Sequence, residues 1–511
     1  MRFLFLAGAV ALAGGAAFAQ TSAIAAARLL DQAAWGPTPT SIAEVQQAGI
    51  RGWLDAQFAL AASDLPEQPI LDSAGKANHD LRPVQAAFFQ NAVTGADQLR
   101  QRVAFALSQI WVVSAVAGVP DAYAYPPYWR IFRDNAFGNY RDVVKAVTLS
   151  PAMGRYLNMA NNRKANPAKG TAANENYARE LLQLFTLGLT QLNPDGSPAA
   201  GAPATYTQAE VTQLANAFTG WTYPTAPGAT PKVTNPAFYT GSMFAVESQH
   251  DSSAKTIFGG ITIPAGGTAE QDLESVIDAL MRQPSMAPFV GKQLIEHLVT
   301  SNPSPQYVAR VAEVFADDGT GVAGNLKAVI AAILTDQEAR AGDQVRNAMP
   351  EFGHLREPVL FVANLLRGLN ATLTEQSAVY NLATALGENL FNAPSVFSYF
   401  SPSYRTEGGL LGPEFQIYST QTAAARANVV NAALYGTLDK GTKLDLAPFT
   451  SRAGDLNSLL DYISLVFLHG QMSSSLRDAA TSAASAASGA QARAQAALYV
   501  VLTSGEYQVV Q

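Results

Sequence analysis

The chain has 511 residues, of which 48% are hydrophobic and only 14% are charged. Apolar surface on that scale excludes a largely disordered protein, and the length excludes a single small module. The 33 basic residues against 40 acidic ones give a net charge of -7. No overall positive field therefore attracts nucleic acid, and we expect no nucleic-acid partner.

The N-terminus has the three regions of a secretory signal peptide. Arg2 precedes an apolar stretch over residues 3–13, and small residues lead to Ala17-Phe18-Ala19. This pattern predicts a signal peptide over residues 1–19, cut after Ala19, and export to the periplasm or beyond. A membrane anchor is the alternative, but the apolar run is shorter than the roughly 20 residues that span a bilayer. We expect no membrane span after the signal peptide is removed.

The chain contains no cysteine. This excludes disulfides, a thiol nucleophile and cysteine-ligated metal sites. It also excludes a lipidated cysteine after the signal peptide, so we expect an exported protein without a lipid anchor.

Helical spacing of apolar residues dominates the rest of the chain. Apolar residues recur at i, i+3 and i+4 in five segments, namely residues 99–113, 291–300, 326–334, 359–369 and 459–468. A capping box from Thr207 to Glu210 begins another helix, which Gly220 ends. The Ala/Ser-rich segment 479–497 is interpreted as a small-residue helix.

Strand signal is limited to one hairpin. Residues 256–258 and 261–263 are β-prone and flank Gly259-Gly260, which suits a two-residue turn. The sequence therefore predicts a mainly α fold over residues 20–511. We expect one large multi-helical domain with long irregular loops and at most a small β-hairpin.

Three irregular segments, residues 160–173, 192–206 and 222–250, are rich in Pro, Gly, Asn and Thr. They flank two predicted helices, residues 174–188 and 207–219. Long loops inside a compact domain are often binding loops or lids. This region is therefore the first place to look for a site.

The helix over residues 174–188 carries three charged candidates. Glu175 can pair with Arg179 at i+4, and Glu180 lies on the same polar side, so the two carboxylates could serve as acid/base groups or metal ligands. An ordinary amphipathic helix with solvated ion pairs is the alternative. Its apolar face is predicted to be buried, with Tyr177, Ala178, Leu181, Leu182 and Phe185.

His250, Asp251 and Lys255 form the second candidate group. A histidine next to an aspartate, with a lysine four residues on, could form a proton shuttle, an anion site or part of a metal site. A plain polar loop is the alternative. His297 is predicted to lie on the surface beside Glu296.

Aromatic residues cluster in three places: Tyr123, Tyr125, Tyr128 and Trp129; Trp221 and Tyr223; and Tyr399, Phe400 and Tyr404. Exposed rings could stack on sugars, but such clusters are more often buried, and burial is the prediction. No G-x-S-x-G, phosphate-binding G-x-x-x-x-G-K-[ST] or H-E-x-x-H motif occurs. Their absence argues against lipase-type, P-loop and zincin enzymes.

Several segments together resemble a known family, the domain of unknown function 1800 family. The longest match is residues 174–188, NENYARELLQLFTLG. The supporting matches are residues 27–30, 35–38, 98–109, 217–221, 250–255, 356–358, 393–397 and 504–508. The resemblance implies an exported bacterial protein, often encoded near a second uncharacterised secreted family, and it implies no activity. Some members have a Trp-His-x-His-Phe-like segment where this chain has residues 109–113, so a site using those histidines is absent here.

Two functional hypotheses follow. The first is an exported hydrolase acting on an envelope or extracellular polymer. Glu175 or Glu180 would be the acid/base, oriented by Arg179, while His250 and Asp251 approach from the loop that also carries Lys255. The second is a non-catalytic envelope protein that binds a polymer or a secreted protein partner through its long loops. The sequence assigns no cofactor and no metal to either.

Overall fold

The computed structural model describes residues 21–344 and 351–510. The predicted signal peptide lies outside these residues. The α-helices are α1 (Ala23–Ala33), α2 (Pro39–Ala59), α3 (Arg82–Thr94), α4 (Gln98–Ile110), α5 (Tyr125–Asn135), α6 (Tyr140–Thr148), α7 (Pro151–Tyr156), α8 (Asn176–Glu180), α9 (Gln208–Ala217), α10 (Ala269–Met281), α11 (Met286–Leu298), α12 (Pro305–Ala316), α13 (Leu326–Thr335), α14 (Pro358–Gly368), α15 (Tyr380–Ala385), α16 (Thr420–Tyr435), α17 (Ala447–Thr450), α18 (Leu456–Leu468), α19 (Ser474–Ala486), α20 (Ala490–Leu502) and α21 (Gly505–Gln508).

Strands are few and short. They are β1 (Trp221–Thr222), β2 (Phe244–Ala245), β3 (Lys255–Ile257), β4 (Ile261–Ile263), β5 (His354–Leu355), β6 (Thr372–Leu373), β7 (Thr442–Lys443) and β8 (Val509–Val510). They form four antiparallel two-stranded pairs in the described part of the chain: β1 with β2, β3 with β4, β5 with β8, and β6 with β7. The mainly α prediction is confirmed.

Short helical turns complete the described structure. The 3-10 turns are Ala122–Ala124, Pro167–Lys169, Glu247–Gln249, Phe258–Gly260, Ala341–Asp343 and Pro413–Ile417, and the segment Leu181–Thr186 is a π-helix. The predicted helices are present as α4, α9, α11, α13, α14 and α18. The Thr207–Glu210 capping box forms as predicted, and both of its reciprocal hydrogen bonds are made.

Two local predictions need correction. The segment 479–497 is not one helix, because α19 and α20 are separated at Gly489, whose φ of +86° is left-handed. The predicted hairpin is present, but Ile257 pairs with Ile261, so the turn has three residues, Phe258–Gly260, rather than two.

A single hydrophobic core runs through the described residues from α1 to α21. Helix α4 lies at its centre and packs against α1, α2, α3, α5 and α11. Most of the predicted aromatic clusters are part of this core: Tyr123, Tyr125, Tyr128, Trp129, Trp221, Tyr223 and Phe400 are buried. Tyr404, by contrast, is exposed.

A buried ion cluster connects the first described helix to the last third of the chain. Asp31 on α1 pairs with Arg356, and its Oδ2 lies 2.9 Å from Nε2 of His469. Asn364 donates a 2.8 Å hydrogen bond to the other carboxylate oxygen. Burial by itself would raise the pKa of Asp31, but the charge of Arg356 and the hydrogen bond from His469 lower it well below its usual range.

No helix in the described ranges is both long and apolar enough to cross a membrane.

Candidate functional site

The signature segment forms an α-helix that widens into a π-helix. After α8, Leu187 N–H donates to the carbonyl of Leu182, and the Thr186 hydroxyl donates 2.6 Å to the carbonyl of Leu181. The backbone bond spans five residues, the π spacing, which occurs frequently at functional sites, and the hydroxyl bond occupies a carbonyl in the same turn. The predicted apolar face is buried as expected.

Glu175 and Arg179 pair as predicted, 2.9 Å apart at i+4. The same carboxylate accepts hydrogen bonds from Thr212 at 2.7 Å and Gln208 at 2.8 Å, both on α9. Hydrogen bonds from Thr212 and Gln208, together with the Arg179 charge, lower the pKa of Glu175. The bonds from Thr212 and Gln208 therefore fix the start of α8 against α9, while the Arg179 bond stays within the signature helix.

Glu180 differs from its neighbour because it is half-buried and has no ion-pair partner in the part of the chain that the structure describes. Burial raises its pKa, and the Arg179 charge offsets only part of that effect. The pKa of nearby Tyr156 rises to about 12 through burial and the charge of Glu180.

His250 and Lys255 lie in a second, buried network centred on Asp272 of α10. The Lys255 ammonium is 2.7 Å from Asp272 Oδ2, and His250 Nε2 is 3.3 Å from the same oxygen. His250 Nδ1 lies 3.0 Å from the carbonyl oxygen of Thr219. Asp251 caps its own turn by accepting a 2.8 Å bond from Ser253 N–H.

These two networks lie at opposite ends of α9. Glu175 contacts Thr212, whereas His250 contacts Thr219, which is seven residues further along. Thr219 lies two residues beyond Ala217, the last residue of α9. The structure thus places Glu175 and Arg179 in one network and His250, Asp251 and Lys255 in another, while Glu180 belongs to neither. The catalytic role of the six residues stays a prediction.

A different region brings more of the family-like segments together. We call it the inner cavity, a space of about 70 Å³. Its walls include Gln109 from segment 98–109, Leu184 from segment 174–188 and Phe397 from segment 393–397. Residue Glu357, from segment 356–358, lies directly behind Gln109 and accepts its 2.5 Å hydrogen bond.

The inner cavity opens into a larger depression of about 470 Å³, the outer groove. The two spaces share five lining residues: Leu184, Gln293, Glu296, Phe397 and Pro402. Leu189 and Phe397 on the groove wall are 59% and 42% exposed, so large apolar side chains face solvent here. A ligand lying in the groove would therefore meet Glu296 at the entrance to the cavity.

Two carboxylates line the inner cavity with unused hydrogen-bonding capacity. Oε1 of Glu296 and Oε2 of Glu414 are buried atoms without a hydrogen-bond partner among the described residues, and so is Nε2 of Gln293. The nearest cation to Glu296 is Lys292, at 3.8 Å. Buried polar atoms are normally satisfied, so these three are candidates for contact with a ligand.

The electrostatics of the cavity favour a protonated acid. Burial raises the pKa of Glu296 to about 7, with a further contribution from the charge of Glu414. The neighbouring His297 is neutral, because burial and the charges of Arg102 and His354 lower its pKa to about 3. The predicted surface position of His297 is wrong, since it is half-buried and lines the cavity.

A chain of hydrogen bonds supports the cavity wall from behind. Ser398 donates to the carbonyl oxygen of the Gln109 side chain, whose NH₂ group donates to Glu357. Glu388 lies next to Glu357 and accepts a 2.9 Å bond from Val359 N–H. Burial raises the pKa of both carboxyls, that of Glu388 to about 7, so the environment favours the protonated form of each.

The backbone of this wall is strained. Ser398, which lines the inner cavity, has a φ angle of +64°, a value that non-glycine residues rarely adopt. Such strain is concentrated at binding and catalytic sites in proteins. Ser398 combines this conformation with a side chain at the cavity wall.

Sequence reasoning missed Gln109, Glu296, Glu414 and Ser398 as site residues. The segments around Gln109 and Glu357 were noted only as part of a resemblance. The occurrence of both segments in one chain was the sequence feature that could have pointed to a shared site. Their separation of 248 residues, however, does not predict that Gln109 and Glu357 are in contact.

The described residues provide no cluster of side chains that could bind a metal ion. Within residues 21–344 and 351–510, no three His, Cys, Asp or Glu side chains are grouped so that they could hold an ion. This includes Glu175, Glu180, His250 and Asp251, which the sequence offered as ligands.

One comparison with known proteins gave a match. The model of a family described as a protein of unknown function, DUF1800, matches residues 28–509. Searches of curated proteins and of solved structures found no match.

Proposed function

Because the chain belongs to the DUF1800 family, whose description assigns no activity, we propose a function from the geometry of the inner cavity. The protein is an exported hydrolase-type enzyme that acts on an envelope or extracellular polymer. Its catalytic centre is the inner cavity, and its substrate lies along the outer groove.

One observation carries this proposal: two buried carboxylates with unpartnered oxygens, Glu296 and Glu414, line one cavity at the end of a solvent-open groove. Two carboxyls whose environments differ are the usual basis of acid/base hydrolysis. Glu296 has the raised pKa of a general acid, and Glu414 is held by His354 Nδ1 at 3.5 Å.

The reaction that this arrangement supports is hydrolysis with paired proton transfers. Glu296 donates its proton to the leaving oxygen or nitrogen as the bond to the electrophilic carbon breaks. Glu414 accepts a proton from a water molecule, whose oxygen forms the new bond to that carbon. The two proton transfers balance, and a final exchange with solvent restores both carboxyls.

The shape of the outer groove supports an extended substrate. At about 470 Å³ it is far larger than the inner cavity, and it remains open to solvent. Leu189, Phe289 and Phe397 provide apolar surface, while Lys292 and Arg405 provide cationic groups along the same wall. A polymer can lie in such a groove while only one bond reaches Glu296.

Export rests on the N-terminal pattern. Arg2, the apolar residues 3–13 and the small residues before Gln20 have the order of a cleavable signal peptide. The periplasm or the extracellular medium would then be the site of action, where polymers are the abundant substrates.

The test is a substrate screen with matched variants. The wild-type protein is assayed on dye-labelled polysaccharide, polyester and protein substrates between pH 5 and 9. We expect turnover that falls as pH rises through about 7, because Glu296 must be protonated. Glu296→Gln should lose roughly 100-fold or more of that activity while keeping its thermal unfolding temperature.

Two comparisons decide between the inner cavity and the signature helix. Glu313→Gln, at an exposed position of α12, controls for the change itself and should retain full activity. Glu180→Gln tests the site predicted from sequence.

The cavity assignment is contradicted if Glu180→Gln loses activity with an intact fold while Glu296→Gln keeps its activity. Saturable polymer binding without turnover contradicts catalysis and favours the non-catalytic hypothesis.

A further inference from the structure

A second depression shares no lining residue with the inner cavity or the outer groove. We call it the basic bowl, a space of about 650 Å³ lined by the loop 158–174 and by Ser248 and Gln249. We propose that the basic bowl binds an acidic polysaccharide. The proposal is independent of catalysis at the inner cavity.

The bowl is a built structure rather than a loose loop. Asn162 and Asn174 clamp the loop by reciprocal hydrogen bonds of 3.0 and 2.8 Å. Gly220 N–H donates 2.8 Å to the carbonyl of Asn162, and the backbone of Lys164 donates 2.8 Å to Gln249. These bonds hold the loop against the β1 region and against the 248–249 turn. The backbone that carries its outward side chains is therefore fixed in position.

The charge of the bowl is opposite to that of the whole chain. Arg163, Lys164 and Lys169 line it and are exposed. None of the lining residues is acidic, and no carboxylate in the described ranges forms an ion pair with these three cations. In a protein of net charge -7, this leaves a local positive surface available to an anion.

Two carboxylates adjoin the lining in sequence, and both already have partners. Glu247, directly before Ser248, accepts hydrogen bonds from the backbone N–H of Ala269 at 3.3 and 3.2 Å. Glu175 follows Asn174 directly in sequence, but it is bound by Arg179, Gln208 and Thr212. It therefore cannot neutralise the lysines of the bowl. A ligand carboxylate or phosphate is the group that these cations lack.

The neutral part of the lining identifies a sugar rather than a simple polyanion. The side chains of Asn161 and Asn162 are already bonded within the protein. Apart from these and small alanines, the neutral lining groups are amides and hydroxyls, which both donate and accept hydrogen bonds: Asn158, Asn166, Thr171, Asn174, Ser248 and Gln249. Ring hydroxyl groups can use both capacities, whereas phosphate oxygens only accept. The combination of amides with cations fits a polymer of uronic acids.

The experiment measures binding of the whole chain to defined polymers at low salt. The probes are polygalacturonate, inorganic polyphosphate and neutral dextran, each titrated by calorimetry. We expect polygalacturonate to bind more tightly than polyphosphate and dextran not to bind. The variant R163Q/K164Q/K169Q should lose roughly tenfold or more in affinity for polygalacturonate.

A control variant with the same change in net charge tests whether the loss of affinity is specific to the basic bowl. The variant R51Q/K76Q/K440Q removes three exposed cations outside the bowl and should lose less than about threefold, through its net charge alone. Equal losses in the two triple variants would overturn the proposal, because attraction would then be non-local. Tighter binding of polyphosphate would overturn the sugar assignment. All substituted residues are exposed, so unchanged thermal unfolding confirms that both variants are folded.

Discussion

Gln109 donates a 2.5 Å hydrogen bond to Glu357, a residue 248 positions away, and both side chains are buried. The same amide accepts a hydrogen bond from Ser398 at the cavity wall. One side chain thus connects the central helix α4, the start of α14 and the strained loop that encloses the inner cavity.

Gln109→Leu should destabilise the protein. It keeps the approximate volume but leaves Glu357 and Ser398 without their shared partner, at a cost of about 1–3 kcal/mol. Urea unfolding measures this free energy. Gln47→Leu on the exposed face of α2 is the control and should change stability by less than about 0.5 kcal/mol. Equal effects of the two changes would show that the bridge contributes nothing.

The pH dependence of stability should identify the buried carboxyl pair. Burial raises the pKa of Glu388 to about 7 from 4.5, so the folded state holds a proton that the unfolded state releases. The stabilisation from that proton is complete below pH 4.5 and is lost as pH rises to 7.

Glu388→Gln cannot titrate and should remove this loss, gaining roughly 1–3 kcal/mol relative to wild type between pH 4.5 and 7. Urea unfolding at pH 5, 6 and 7 measures the difference, with Glu313→Gln as the exposed control. Parallel curves for wild type and Glu388→Gln would mean that Glu388 stays in one protonation state.

Lys255→Met should be strongly destabilising, because Lys255 is buried and pairs with buried Asp272. Removing one partner of such a pair costs about 3–5 kcal/mol. Chemical unfolding at pH 7 should show this loss, and Lys76→Met at an exposed position should not.

The double variant Lys255→Met/Asp272→Asn separates charge from packing. It no longer strands a buried carboxylate, so it should recover part of the lost stability. The deficit of Lys255→Met should also shrink as pH falls, because protonation of Asp272 removes the stranded negative charge in the variant. A double variant no more stable than Lys255→Met would assign the loss to packing alone.

Gly220→Ala should be destabilising for two reasons. A Cβ at Gly220 would lie 2.9 Å from Cβ and 3.0 Å from the backbone nitrogen of His250, and the φ angle there is +92°. Gly241 has the same φ, but its nearest neighbour would be Pro224 at 3.9 Å. Gly241→Ala therefore measures backbone strain alone, about 1 kcal/mol. The melting temperature of Gly220→Ala should be well below that of Gly241→Ala. Equal melting temperatures would contradict the close contact with His250.

Local features of the fold were predictable because they depend on nearby residues. The stripe of apolar residues in α4 and the capping box at Thr207 specify helices through contacts within one or two turns. The hairpin at residues 255–263 was predictable for the same reason. Its three-residue turn was not, because Phe258, predicted as the last residue of the first strand, lies in the turn and Ile257 pairs with Ile261.

The site could not be predicted in the same way. The polar residues of α11 suggested a solvent-facing side, yet Glu296 and His297 face a wall made by residues 396–414. Long-range packing decides that burial, and no local pattern encodes it. The π-helix after Glu180 was also missed, since its five-residue hydrogen bonds leave the apolar pattern of the segment unchanged.

The buried cluster around Asp31 has a consequence for the order in which the molecule can assemble. Helix α1 is made early by the ribosome, but its carboxylate lacks its cationic partner Arg356 and its hydrogen-bond partner His469 until both have been synthesised. A buried carboxylate without a partner is strongly unfavourable, so α1 cannot settle into its final position during most of translation. Stable packing of α1 around Asp31 therefore waits until more than nine-tenths of the residues have been synthesised. Until then, the growing chain lacks this long-range contact of its native core.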